Sequence, residues 1–138
     1  CGSKGCLEQI CGTAGILDFT KKLLINNKSI LDQNDLTVKT IFDAAKQGDE
    51  VATQTVNRVA KYIGIAASIL SITIEPDVFI IGGGISKAGK YLTDLIEHYY
   101  KENARFSTGS IPFELAKTGN QAGIIGSAML AKSTIDKK

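Results

Sequence analysis

The chain has 138 residues, a formal net charge of +2, and 43% apolar against 22% charged residues. That length and balance suit one domain with a core of its own, and they exclude a disordered charged tail, a collagen-like repeat and a low-complexity linker. The small net charge and the lack of Trp argue against a nucleic-acid partner, and no apolar run reaches membrane-spanning length: the longest, 63–74, is broken by Gly64, Ser68, Ser71 and Thr73.

Cys1, Cys6 and Cys11 all fall in the first eleven residues. An odd, clustered set is not the pattern of a secreted disulfide scaffold; it fits metal binding or simple burial. A start at Cys1, with no Met or charged leader, is expected of a piece of a longer chain. Gly2 and Gly5 permit the corners of a tight Cys1–Cys6 knuckle. Two thiolates are half of a tetrahedral zinc site. The single histidine, His98, reads as a partly exposed helix residue rather than a ligand, and Cys11 as a small buried one.

From Leu7 the pattern is helical, interrupted at Gly12 and Gly15, with Ile16, Phe19, Leu23 and Leu24 recurring at helical spacing. Thr37 is the expected N-cap of a short helix bearing Val38, Ile41, Phe42 and Ala45, which Gly48 ends. Asp49 caps a long helix over about 50–73. Its first half is amphipathic, and its second half, apolar or small on every side, predicts burial all round. Val78-Phe79-Ile80-Ile81 reads as a fully buried parallel strand ending in Gly82-Gly83-Gly84. A helix is expected over about 87–103, a second strand over 111–116 with Pro112 at its start or edge, and a closing helix over 122–132. This alternation predicts an α/β layer.

A strand, three glycines and a helix start form a place where bare main-chain N–H groups can approach phosphate. The dinucleotide fingerprint fails, because Lys87 stands where its last glycine belongs. Gly84-Ile85-Ser86-Lys87-Ala88-Gly89-Lys90 fits the spacing of a P-loop, but Tyr91 replaces the hydroxyl residue that holds Mg²⁺.

Three segments resemble one family. Cys1-Gly2-Ser3-Lys4-Gly5-Cys6-Leu7-Glu8 is similar to the end of the cysteine motif of the ROK family of repressors, open reading frames and sugar kinases. Pro76-Asp77-Val78-Phe79-Ile80-Ile81-Gly82-Gly83-Gly84-Ile85-Ser86 resembles its nucleotide-site strand and turn. Gly119-Asn120-Gln121-Ala122-Gly123-Ile124-Ile125-Gly126-Ser127-Ala128 resembles its closing helix. The order and spacing of all three fit, with bacterial glucokinases of the family as the nearest look-alikes.

The resemblance implies an actin-like, ribonuclease-H-like ATPase fold, with residues 1–138 forming a single C-terminal lobe. It implies ATP-dependent phosphorylation of a sugar, glucose at O6 above all, with ATP and Mg²⁺ as nucleotide and metal. Glu8 matches the glutamate that grips sugar hydroxyls. Gly82, Gly83, Gly84 and Ser86 match the nucleotide turn. Cys1 and Cys6 match two zinc ligands, the others being expected upstream. The catalytic aspartate is expected in the missing N-terminal lobe, so no residue here is assigned as base, and Asp77 and Asp94 are read as bystanders. A cytoplasmic homodimer is implied, and the chain alone is expected to show no turnover. Cys11 and Gln121 depart from the usual pattern. The alternative of another class is the matching lobe of a sugar-responsive ROK repressor, which would carry a DNA-binding domain upstream.

Overall fold

The structure is a computed structural model that describes residues 5–104, 111–118 and 121–136. Among the described residues six helices and two strands run in the order α1 (Leu7–Cys11), α2 (Thr13–Leu24), α3 (Val38–Lys46), α4 (Glu50–Ile74), β1 (Phe79–Ile81), α5 (Lys90–Asn103), β2 (Phe113–Leu115) and α6 (Ala122–Ile135). Short 3₁₀ segments cover Gln33–Asp35 and Gly84–Ala88.

Capping residues set the boundaries of the middle helices. The Thr37 hydroxyl accepts from the Thr40 N–H at 3.1 Å, and the Thr40 hydroxyl accepts from the Thr37 N–H at 2.9 Å, a reciprocal box. Asp49 Oδ1 accepts from the Ala52 N–H at 2.9 Å to open α4, while its Oδ2 accepts from the Ile30 N–H at 2.9 Å. One carboxylate therefore caps the longest helix and pins the loop before α3.

The core lies where α2, α3 and α5 meet the first half of α4. It is built from Ile16, Ile41, Phe42, Val56, Val59, Leu92 and Ile96. Thr20 and Thr55 are buried among them and bond to each other at 3.1 Å, so neither hydroxyl is left without a partner. Against α5, α4 presents Gly64, where a Cβ would come within 2.8 Å of the Tyr100 amide nitrogen. The helices approach closely because that position has no side chain.

The strands pair in parallel, Phe79 opposite Phe113 and Ile81 opposite Leu115. The Phe79 N–H donates to the Pro112 carbonyl at 2.9 Å, which places Pro112 just ahead of its strand, where its missing N–H costs nothing. Phe79, Tyr100 and Phe113 form an aromatic cluster with centroids 5.0–5.9 Å apart, fastening the sheet to α5.

Three expectations need correction. The second half of α4 is not buried all round: the side bearing Gly64, Ala67, Ser68 and Ser71 is buried, with α5 against Gly64, but Ile69, Leu70, Ile72 and Ile74 are exposed. Nor is β1 fully buried. Ile80 is 65% exposed, because among the described residues α5 covers one face of the two-stranded sheet and leaves Ile80 on the other. The helix expected from about residue 87 begins at Lys90; residues 84–88 form a 3₁₀ segment, and Gly89, at φ 71°, separates the two. In α6 no residue is buried.

Candidate functional site

A cleft of about 630 Å³ opens between the α1–α2 junction, the start of α3 and the 3₁₀ segment after β1. Glu8 and Gly84 both line it. The carboxylate and the glycine turn, 76 residues apart in sequence, thus share one concavity.

Glu8 stands in the first turn of α1, whose N-cap is Cys6. Gly12 ends that helix. A Cβ there would collide with the Glu8 carboxylate and with its carbonyl oxygen, so the bare α-carbon gives the carboxylate room to lie over the junction. Thr13 follows on the same wall.

On the opposite wall, β1 ends and the chain turns through Gly83, at φ 74° and ψ −164°, a conformation in practice open only to glycine. The Ser86 hydroxyl donates to the Gly83 carbonyl at 2.7 Å, bracing the turn from within. Gly84 carries no such backbone demand, and a Cβ built on it meets nothing within 4 Å. Of the glycine-turn residues singled out in the sequence, Gly84 reaches the cleft; Gly82, Gly83 and Ser86 form the turn behind it.

The floor is apolar: Leu36, Val38, Phe42, Ile85 and Ala88. Lys39 and Asp43 stand at its rim and pair at 2.6 Å. Their hydrogen bond, aided by charge attraction, lowers the Asp43 pKa and raises that of Lys39. Cys11 also lines the cleft, with its thiol 3.7 Å from the Val59 carbonyl. Burial pushes its pKa up to about 11, a trend that Arg58 opposes and Glu8 reinforces. A half-buried thiol of this kind keeps its proton at neutral pH.

Sequence reasoning missed the contribution of α3. Phe42 reads correctly as a core residue, but nothing local shows that Leu36, Thr37 and Val38 line the same cleft as the glycine turn. Cys11, read as simply buried, is half-buried and faces the cleft. His98 is an exposed helix residue beside Glu102, as its sequence context suggests. Asp94 pairs with Lys90 on the surface of α5, and neither Asp77 nor Asp94 lines the cleft. The P-loop spacing is coincidental: Lys90, its would-be phosphate lysine, is held by Asp94 outside the cleft.

Cys1 lies outside the described residues, as do Gly119 and Asn120 of the closing motif. Among the described residues no three His, Cys, Asp or Glu side chains converge to hold a metal. Cys6 alone does not make a zinc site.

The ROK family model matches residues 1–134. A glucokinase of Halalkalibacterium halodurans is 35% identical over 140 residues, which cover 96% of this chain and 42% of that protein. An N-acetylglucosamine repressor of Escherichia coli O6:H1 is 35% identical over 98 residues, 70% of this chain and 24% of the repressor. The crystal structure of a ROK family glucokinase from Streptomyces griseus in complex with glucose and AMPPNP superposes with a TM-score of 0.86 at 26% identity, over 96% of this chain and 46% of that one. The chain thus spans less than half the length of the glucokinase relatives, and its α/β architecture is that of the actin-like ATPase fold. From its motifs, its architecture and its relatives alike, the chain belongs to the ROK family.

Proposed function

We propose that this chain is the lobe of an ATP-dependent sugar kinase that carries the nucleotide turn and part of the sugar site, the reaction being transfer of the γ-phosphoryl group to the 6-hydroxyl of glucose. The observation that carries this reading is the single cleft shared by Glu8 and Gly84. A carboxylate accepts two vicinal sugar O–H groups at once. A glycine turn at a strand end offers main-chain donors to a nucleotide with no Cβ in the way. In the transfer the sugar oxygen bonds to phosphorus, the bond to ADP breaks, and the hydroxyl proton passes to a base. No residue of this chain is assigned that role: Asp43 is committed to Lys39, and Glu8 is needed for the sugar.

Mg²⁺ would come with the ATP phosphates and neutralise their charge. Cys1 and Cys6 would supply two thiolates of a zinc site that needs further ligands from elsewhere. Metal analysis after dialysis should therefore find well under one zinc per chain. A cytoplasmic homodimer, with this lobe packed on an N-terminal lobe, completes the reading. The exposed apolar residues of α4 and α6 agree with such packing.

The test separates the two glycines. Gly84→Ala should leave the melting temperature unchanged and weaken ATP binding by roughly tenfold, as a methyl group enters the approach path. Gly83→Ala should destabilise the fold itself by about 1–3 kcal/mol. Calorimetric titration and thermal melting read both. The similarity to an N-acetylglucosamine repressor favours a second reading, a sugar-sensing lobe with no use for ATP. Sugar binding without any ATP binding would select it.

A further inference from the structure

Three lysines lie near the cleft and two are already committed. Lys39 pairs with Asp43 at 2.6 Å, and Lys90 pairs with Asp94 outside the cleft. Lys87 lines the cleft three residues after Gly84, its side chain is exposed, and among the described residues no carboxylate pairs with it. The other charges on the cleft wall are Glu8, Asp43 and Lys39. With Lys39 and Asp43 cancelling each other, a polyanion entering this space would meet the negative charge of Glu8 and one uncommitted ammonium.

We propose that Lys87 is a nucleotide-binding residue, its ammonium donating to the phosphate chain beside the Gly84 turn. This rests on the nucleotide reading above. A lysine is suited to the task, since its flexible stem lets a point charge follow the phosphates wherever the turn places them. The 3₁₀ segment fixes where that stem starts: it is braced by the Ser86 bond to Gly83 and closed by the Gly89 N–H donating to the Ser86 carbonyl at 3.0 Å.

The experiment titrates the chain with ATP, ADP and adenosine at low and moderate salt, comparing Lys87→Gln, Lys87→Arg and Lys90→Gln. Lys87→Gln is expected to weaken ATP roughly tenfold, the size of one exposed charge-assisted hydrogen bond. It should flatten the salt dependence and leave adenosine unaffected. Lys87→Arg should restore most of the loss, and Lys90→Gln should do nothing. Unchanged ATP affinity in Lys87→Gln overturns the proposal while leaving the nucleotide reading intact. Equal losses for ATP and adenosine also overturn it, by making the role structural. If the unaltered chain binds none of the three nucleotides, the nucleotide reading fails and Lys87 falls with it.

Discussion

The first half of α4 buries Val51, Ala52, Val56 and Ala60 completely, whereas its second half leaves Ile69 at 61%, Ile72 at 59% and Ile74 at 64% exposure. Both halves are rich in apolar residues. They differ in how far they are covered: α2 and α3 share the core with the first half, while among the described residues the second half keeps one face buried and the rest exposed. A helix that is apolar on every side states that its surfaces are to be covered, without stating by which segment. The same holds for α6, whose Ile124, Met129 and Leu130 are exposed. The difference also bears on function, because the cleft of Glu8 and Gly84 is floored in part by residues of the buried core, Phe42 and Ala88.

The largest expected effect sharpens that contrast. Ile41 is fully buried between α3 and α4, and truncating it to Ala should cost about 2–5 kcal/mol, the lost transfer energy plus a cavity. Ile72→Ala, a chemically identical change, should stay within about 0.5 kcal/mol in this chain. Urea unfolding of the two variants reads both numbers. A large loss in Ile72→Ala would mean that the second half is covered in solution, and the comparison would fail.

What the sequence revealed, and what it concealed, follows the same division. Thr37 and Asp49 announce helix starts through side-chain hydrogen bonds and Gly48 a helix end through its positive φ, and all three act where expected. Hydrophobic spacing places Ile41, Leu92 and Ile96 in the core for a similarly local reason. The burial of β1 is overstated by its sequence because a continuous apolar run reports a strand that needs two covered faces, and the described residues supply one. The 3₁₀ segment was hidden because Gly89, read as part of a helical pattern, instead takes a positive φ that restarts the helix. In the site, Glu8 and the glycine turn were legible as motifs. Their common cleft depends on how α3 meets the turn, a tertiary fact that no residue spacing encodes.

A smaller effect tests the joint between the regions. Asp49→Ala removes the cap of α4 and releases the Ile30 loop, a loss of about 1–2 kcal/mol. The loss should depend on pH. Partial burial raises the Asp49 pKa, but hydrogen bonds from the Ala52, Ile30 and Val51 amides and from Ser29 outweigh it, and the folded-state value is lowered from 3.8. A depressed carboxylate stabilises fully above its unfolded pKa and loses that stabilisation as pH falls through the folded value. The gap between the parent and Asp49→Ala should therefore be constant near neutrality and narrow in acid below 3.8. Denaturant midpoints across pH measure it, and a gap that widens in acid would contradict the role.

The smallest effect lies at the far end of α4. Glu75 terminates the helix in the left-handed region, at φ 42° and ψ 62°, with its N–H donating to the Ser71 carbonyl at 3.1 Å. A residue with a Cβ costs roughly 1–2 kcal/mol there, and glycine removes that strain while adding backbone entropy to the unfolded chain. Glu75→Gly should thus stabilise by only about 0.5 kcal/mol. Its location makes the change visible. Because much of the second half of α4 is exposed, its amides are expected to open locally rather than through global unfolding. The added stability should slow hydrogen exchange over residues 69–75 and leave exchange at Val56 and Val59 unchanged. Slowing spread evenly along α4 would mean that the helix opens as one unit, and that its two halves are not energetically distinct.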